Sequence, residues 1–117
     1  MKFQNVPPLN PTLTANLYAA FPQLYRGRHK SKYESGMCWG FECGDGWYQV
    51  LYDLSQELSD YLAEHPELDF EVTRVKSKFG TLRFHLNYRD AQTERMIERA
   101  QQRADITCEL NPESDVT

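Results

Sequence analysis

Trp47, Val50, Leu51, Leu54, Leu58, Tyr61 and Leu62 recur mostly three and four residues apart, with polar and acidic residues between them. That is the period of a helix with one buried face. It predicts a helix from about Gly46 to Glu64, stopped by His65-Pro66. Asp45 is placed to act as its N-cap or dipole partner, and Gly44 and Gly46 allow a sharp entry. Downstream the period changes to two. Leu82, Phe84, Leu86 and Tyr88 alternate with Arg83, His85 and Asn87, the pattern of a half-buried strand. Phe70 to Val75 reads as its partner, and the slip in spacing before Val75 predicts a bulge or bend. Ser77-Lys78-Phe79-Gly80 can turn the chain between them, giving an antiparallel hairpin over about 70–88.

The flanks complete the picture. Residues 1–11 hold three prolines and read as an extended arm. Asn10-Pro11 is a helix start, and Leu13, Leu17, Ala20 and Phe21 share one face before Pro22 ends the helix. Gln23 to Gly36 reads as an exposed loop. Gly36 to Gly46 is too apolar for a free loop and suggests a short strand near Cys38 to Phe41. A last helix spans about Ala91 to Cys108, with Met96, Ile97, Ala100, Ala104 and Cys108 inward. Residues 110–117 form a frayed tail. The expected fold is a single α+β domain over 1–117, a small antiparallel sheet covered by helices, in the order α-α-β-β-α. Trp47, Leu51, Leu54, Leu58, Phe84, Leu86, Ile97 and Ala100 should be mostly buried.

Composition adds boundaries. The 117 residues are 40% hydrophobic and 13% aromatic, enough for a core without disulfide or metal. No apolar run approaches the ~20 residues a membrane helix needs. The first residues lack the apolar segment of a secretory signal, and the three cysteines make no disulfide framework. The expected setting is therefore a reducing cytoplasm, with no membrane contact.

Net charge is −4, but its distribution is blocked. Residues 1–33 carry five Lys/Arg and no Asp/Glu, whereas residues 34–71 carry ten Asp/Glu and no Lys/Arg. Residues 72–103 return to eight basic and three acidic residues. Such blocks imply internal pairing or a charged partner.

The stretches GFECGDGWYQVLYDL and VKSKFGTLRFHL carry a resemblance. Together they resemble a family of small uncharacterised proteins common in phages and prophages. Its members share a Gly-x-Gly-Trp helix start, a Val-Lys-x-Lys-Phe-Gly-x-Leu-Arg-Phe hairpin and a helix ending in a Cys-containing tail. The similarity covers roughly residues 36–108. Many relatives end in a Cys-x-x-Cys-type tail, where this chain has Cys108 alone in Thr107-Cys108-Glu109-Leu110. The resemblance implies a phage or prophage accessory protein and supplies neither an activity nor catalytic residues.

The candidate chemistry has several seats. Cys38, Cys43 and Cys108, with His29, are weak metal candidates, because structural zinc usually takes closely spaced ligand pairs. Cysteine is also a good small core residue. Cys43 near Asp45, with His29, His65 or His85, could assemble a Cys-His site, but no cysteine-enzyme signature surrounds it. Glu42 and Asp45 are more simply a surface charge and a cap. No cofactor and no catalytic residue is expected.

Two charged surfaces are the sharper candidates. Asp53, Glu57, Asp60 and Glu64 form an acidic stripe on the central helix, roughly 110° from its apolar centre. Arg95, Arg99 and Arg103 form a basic stripe on the last helix. If the two helices pack antiparallel, these stripes fall on the same side and can pair. Otherwise the acidic face is free for a basic partner. The function expected is non-enzymatic: binding a host or phage protein through that face. Inhibition of a host defence (anti-CRISPR-type) or nucleic-acid-processing complex is its most concrete form. The alternative is a small nucleic-acid-binding protein. It would use the basic loop Arg26, Arg28, Lys30 and Lys32 and the hairpin residues Arg74, Lys76, Lys78 and Arg83.

Overall fold

The computed structural model describes residues 9–30, 37 and 40–107. Helix α1 spans Pro11–Ala20. The Asn10 side chain caps it by accepting the Thr12 N–H at 2.7 Å, and Pro11 fits the first turn, where no N–H is needed. Strand β1 is Phe41–Glu42, and a 3₁₀ turn at Asp45–Trp47 leads into helix α2, Tyr48–Glu64. The hairpin is β2, Val72–Lys78, and β3, Thr81–Leu86. Helix α3 spans Ala91–Asp105. It opens with a reciprocal cap: the Thr93 N–H donates to Asp90 Oδ1 at 2.8 Å, and the Asp90 N–H to Thr93 Oγ1 at 3.0 Å.

The α+β class and the helix-covered hairpin are as expected, but the sheet is mixed. Its order is β1-β2-β3, with β2 antiparallel to β3 and β1 parallel to β2. The short strand expected near Cys38 to Phe41 lies at its downstream end and runs alongside Val75 and Lys76. The expected bulge is present between Val72 and Arg74. Phe70 falls just before the strand and is buried.

Two local expectations are corrected. Asp45 does not cap α2. The 3₁₀ turn occupies that entry, and Asp45 Oδ1 instead accepts the Asn10 N–H at 2.8 Å, joining the start of α1 to the approach of α2. The segment from Gln23 to Lys30 is not a free loop. It carries a 3₁₀ turn at Arg26–His29, and Leu24, Tyr25 and Gly27 are buried. The Tyr25 ring meets Phe41 edge-on at 5.1 Å. Its hydroxyl donates to Ser55 Oγ at 2.6 Å, and Ser55 donates in turn to the Leu51 carbonyl at 2.7 Å. Every polar atom of that buried pair is thus partnered, as a low-dielectric site requires.

The core gathers Phe41, Val75, Leu82 and Phe84 from the sheet with Trp47, Leu51, Leu54 and Leu58 from the central helix region. Of the residues expected inside, Leu86 and Ile97 are only half-buried. Among the described residues no helix is long and apolar enough to cross a membrane. Cys108 and the expected tail, like residues 1–8 of the arm, lie outside the described residues.

Candidate functional site

The acidic stripe of α2 faces α3, and the two helices run antiparallel. Arg103 Nη1 donates to Asp53 Oδ2 at 2.8 Å, and one turn further along α2, Arg99 Nη2 approaches Glu57 Oε2 at 3.5 Å. Partial burial pushes the Asp53 carboxyl up, but hydrogen bonds from Arg103 and Gln49 outweigh it and hold the group below its usual range. Asp60 accepts a bond from Gln56 at 3.0 Å, and Glu64 is exposed near the helix end. Half of the stripe is therefore engaged within the fold, and a basic partner would have to displace Arg99 and Arg103. Such pairs are half-exposed and individually weak. The double variant Glu57→Lys with Asp60→Lys is expected to lose about 0.2–1 kcal/mol of stability in urea unfolding. Adding Arg99→Glu should restore part of that loss. Full stability in the double variant would show that the interhelical pair contributes nothing.

The basic loop is engaged as well. Glu71 is a buried carboxylate, 3% exposed, and Arg26 Nε and Lys30 Nζ both reach it at 2.9 Å. Arg26 also donates to Asp69 at 2.9 Å. Arg28 lies 4.9 Å from the Tyr18 ring centre and donates to the Tyr25 carbonyl at 2.8 Å. Lys32 lies outside the described residues. Arg26 and Lys30 thus tie Gln23–Lys30 to the approach of β2, and Arg28 ties it to α1.

The hairpin differs. Alternation puts Val75, Leu82 and Phe84 inward and Arg74, Lys76, Lys78, Arg83 and His85 on the opposite face. Lys76 sits directly opposite Arg83 across the ladder. Like charges so placed repel. Glu42 on β1 takes Arg74 in a two-pronged pair, Nε at 2.9 Å and Nη2 at 3.0 Å. Lys76, Lys78 and Arg83 have no carboxylate partner among the described residues.

At the tip, Phe79 and Gly80 form the two-residue turn, with φ of 55° and 77°. Two positive φ values mark the mirror-image turn that matches strand twist, where Asn-Gly is the preferred pair. Glycine adopts that backbone freely, but a bulky side chain does so at a cost of about 1–2 kcal/mol. Phe79 is nevertheless 74% exposed, so packing does not offset the cost. Lys78 Nζ lies 5.9 Å from its ring centre. Strain held at an exposed aromatic is an observation that points to function. The turn itself is legible in the sequence, and the detectable sign is Phe-Gly standing where Asn-Gly is ordinary.

The other candidates gather no site. Cys43 is fully buried, His29 is exposed, and Cys38 and Cys108 lie outside the described residues. Among the described residues no three His, Cys, Asp or Glu side chains cluster as metal ligands. Tyr61 and Tyr88 both donate to Asp90 Oδ2, at 2.6 and 2.7 Å. Burial raises the Asp90 carboxyl, but bonds from Tyr61, the Thr93 N–H and Tyr88 outweigh it and bring it down to about 2. Bonding to Asp90 pushes the Tyr61 hydroxyl up to about 12. This cluster clamps the end of α2 and the exit of β3 to the start of α3. An open groove of about 770 Å³ runs between β3 and α3, with Phe84, Leu86, Ile97 and Gln101 in its wall. No family model matches the sequence, and no curated protein or solved structure matches it.

Proposed function

We propose that this chain is a small nucleic-acid-binding protein whose contact surface is the outer face and tip of the β2–β3 hairpin. One observation carries the reading: Lys76, Lys78 and Arg83 stand together with no carboxylate partner among the described residues, beside an exposed aromatic, while Arg26 and Lys30 of the basic loop and Asp53 and Glu57 of the acidic stripe are paired inside the fold. Lys76 and Lys78 are two residues apart on a strand, so their stems are spaced by roughly 7 Å. That is the scale of consecutive phosphates along an extended strand. Neutralising phosphates releases counterions, which gives affinity even to a protein of net negative charge.

Three phosphate contacts predict that log K falls against log salt with a slope of roughly −2 for a single strand. Lys76→Glu with Arg83→Glu should abolish binding in fluorescence anisotropy while leaving the circular dichroism spectrum unchanged, because the Arg83 side chain is exposed and that of Lys76 has no carboxylate partner among the described residues. Binding that ignores both salt and the reversal would refute this reading.

A second reading keeps an observation of its own. Asp60 and Glu64 are exposed on α2 and have no cation partner among the described residues. A phage-type accessory protein could offer them to a basic host or phage protein. That partner meets half of the original stripe, since Asp53 and Glu57 are already paired. The hairpin reading is favoured because its cations stand together without such competition.

A further inference from the structure

We infer that the ligand of the hairpin is a single strand with unpaired bases, and that Phe79 is the platform on which one base stacks. The inference rests on the hairpin reading above and adds to it the form of nucleic acid and the residue that selects it.

Three features of the tip combine. The ring is 74% exposed and so is accessible to a planar ligand. Its backbone is fixed by a two-residue turn with φ of 55° and 77° between two paired strands, so the ring is carried on a stiff support. Lys78 and Thr81 close the ladder at the base of the turn, and the lysine ammonium lies 5.9 Å from the ring centre. A base stacked on the ring would therefore have its phosphate within reach of Lys78, with Lys76 and Arg83 following along the sheet face.

The interior of a duplex fits this arrangement poorly. A base pair inside a duplex has both faces covered by its neighbours, and exposing one requires unstacking. Helices α1 and α2 carry no Lys or Arg to hold the phosphates beside a major groove, and Arg99 and Arg103 of α3 are paired with α2. An unpaired base has a free face, and stacking on an aromatic residue is tolerant of sequence. A strained, unpacked phenylalanine is then understandable as a residue kept for its ligand.

The test uses the full chain with three labelled probes at one ionic strength. They are an oligothymidylate of about twelve nucleotides, an abasic strand of equal length, and a duplex of equal length. The oligothymidylate should bind more tightly than the other two. Phe79→Asn, which suits the turn and removes the ring, should weaken it by roughly 5- to 100-fold while leaving the abasic strand unaffected. Phe79→Tyr should retain the preference. Equal affinity for thymidylate and abasic strands, or tighter duplex binding, would overturn the stacking role and leave the hairpin reading standing. No binding to any of the three probes would overturn both.

Discussion

Replacing Trp47 by alanine is expected to cost about 3–5 kcal/mol in stability, a large share of what holds a domain of this size together. The indole is 1% exposed and belongs to the central cluster with Val50, Leu51 and Leu54. Its Nε1 donates to the Thr107 carbonyl at 3.0 Å, just beyond the end of α3. One side chain therefore fills the core at the entry of α2 and ties down the far end of α3. Truncation opens a cavity that the neighbours close only in part, and it leaves the Thr107 carbonyl without that donor. Trp47→Phe should lose less, because most of the apolar volume remains. Urea unfolding followed by circular dichroism measures both, and a Trp47→Ala midpoint equal to that of the parent would show that the entry turn is not part of the core. The salt and charge-reversal experiments on the hairpin depend on this scaffold remaining intact.

The helices and the hairpin were legible because each is written in a local period. In α2 the buried residues Val50, Leu51, Leu54 and Leu58 follow the three-and-four spacing, and in β3 the alternation of Leu82 and Phe84 with Arg83 and His85 survives without change. The parts that were not legible depend on residues distant in the chain. Strand β1 is two residues long and is defined by its parallel neighbour, Val75 and Lys76, over thirty positions away. A segment so short carries no periodicity of its own. The pairing of the acidic stripe was open for the same reason. Sequence geometry requires antiparallel packing for it, and only the tertiary arrangement places Arg103 and Arg99 beside Asp53 and Glu57. Glu71 is the clearest case. A glutamate at the approach to a strand reads as a surface charge, and its burial follows only from two cations on the loop before β1.

That buried glutamate gives the other large prediction. Arg26→Met with Lys30→Met should cost about 3–5 kcal/mol, because it leaves the Glu71 carboxylate buried without a cation. Each single change should cost less than half of that total, since either cation can still answer the carboxylate and the two effects are coupled. Asp69 also loses Arg26, but it is 78% exposed and water replaces the contact. Adding Glu71→Met should recover most of the loss. The triple variant then has an apolar side chain of similar volume where the charge was, a replacement that is often neutral or stabilising. The backbone of Glu71 keeps its bonds in all variants: its N–H donates to Asn87 Oδ1 at 2.9 Å, and its carbonyl accepts the Asn87 N–H at 3.2 Å. Urea unfolding of the parent, single, double and triple variants at neutral pH measures the cycle. A double variant as stable as the parent would mean that Arg26 and Lys30 are not needed by Glu71. The loop from Arg26 to Lys32 would then rejoin the hairpin as a surface for phosphates, and the same substitutions should weaken oligonucleotide binding and flatten its salt dependence by up to about two phosphate contacts. A steep loss in the double variant and recovery in the triple variant would assign those cations to the fold and leave Lys76, Lys78 and Arg83 as the charges available to a ligand.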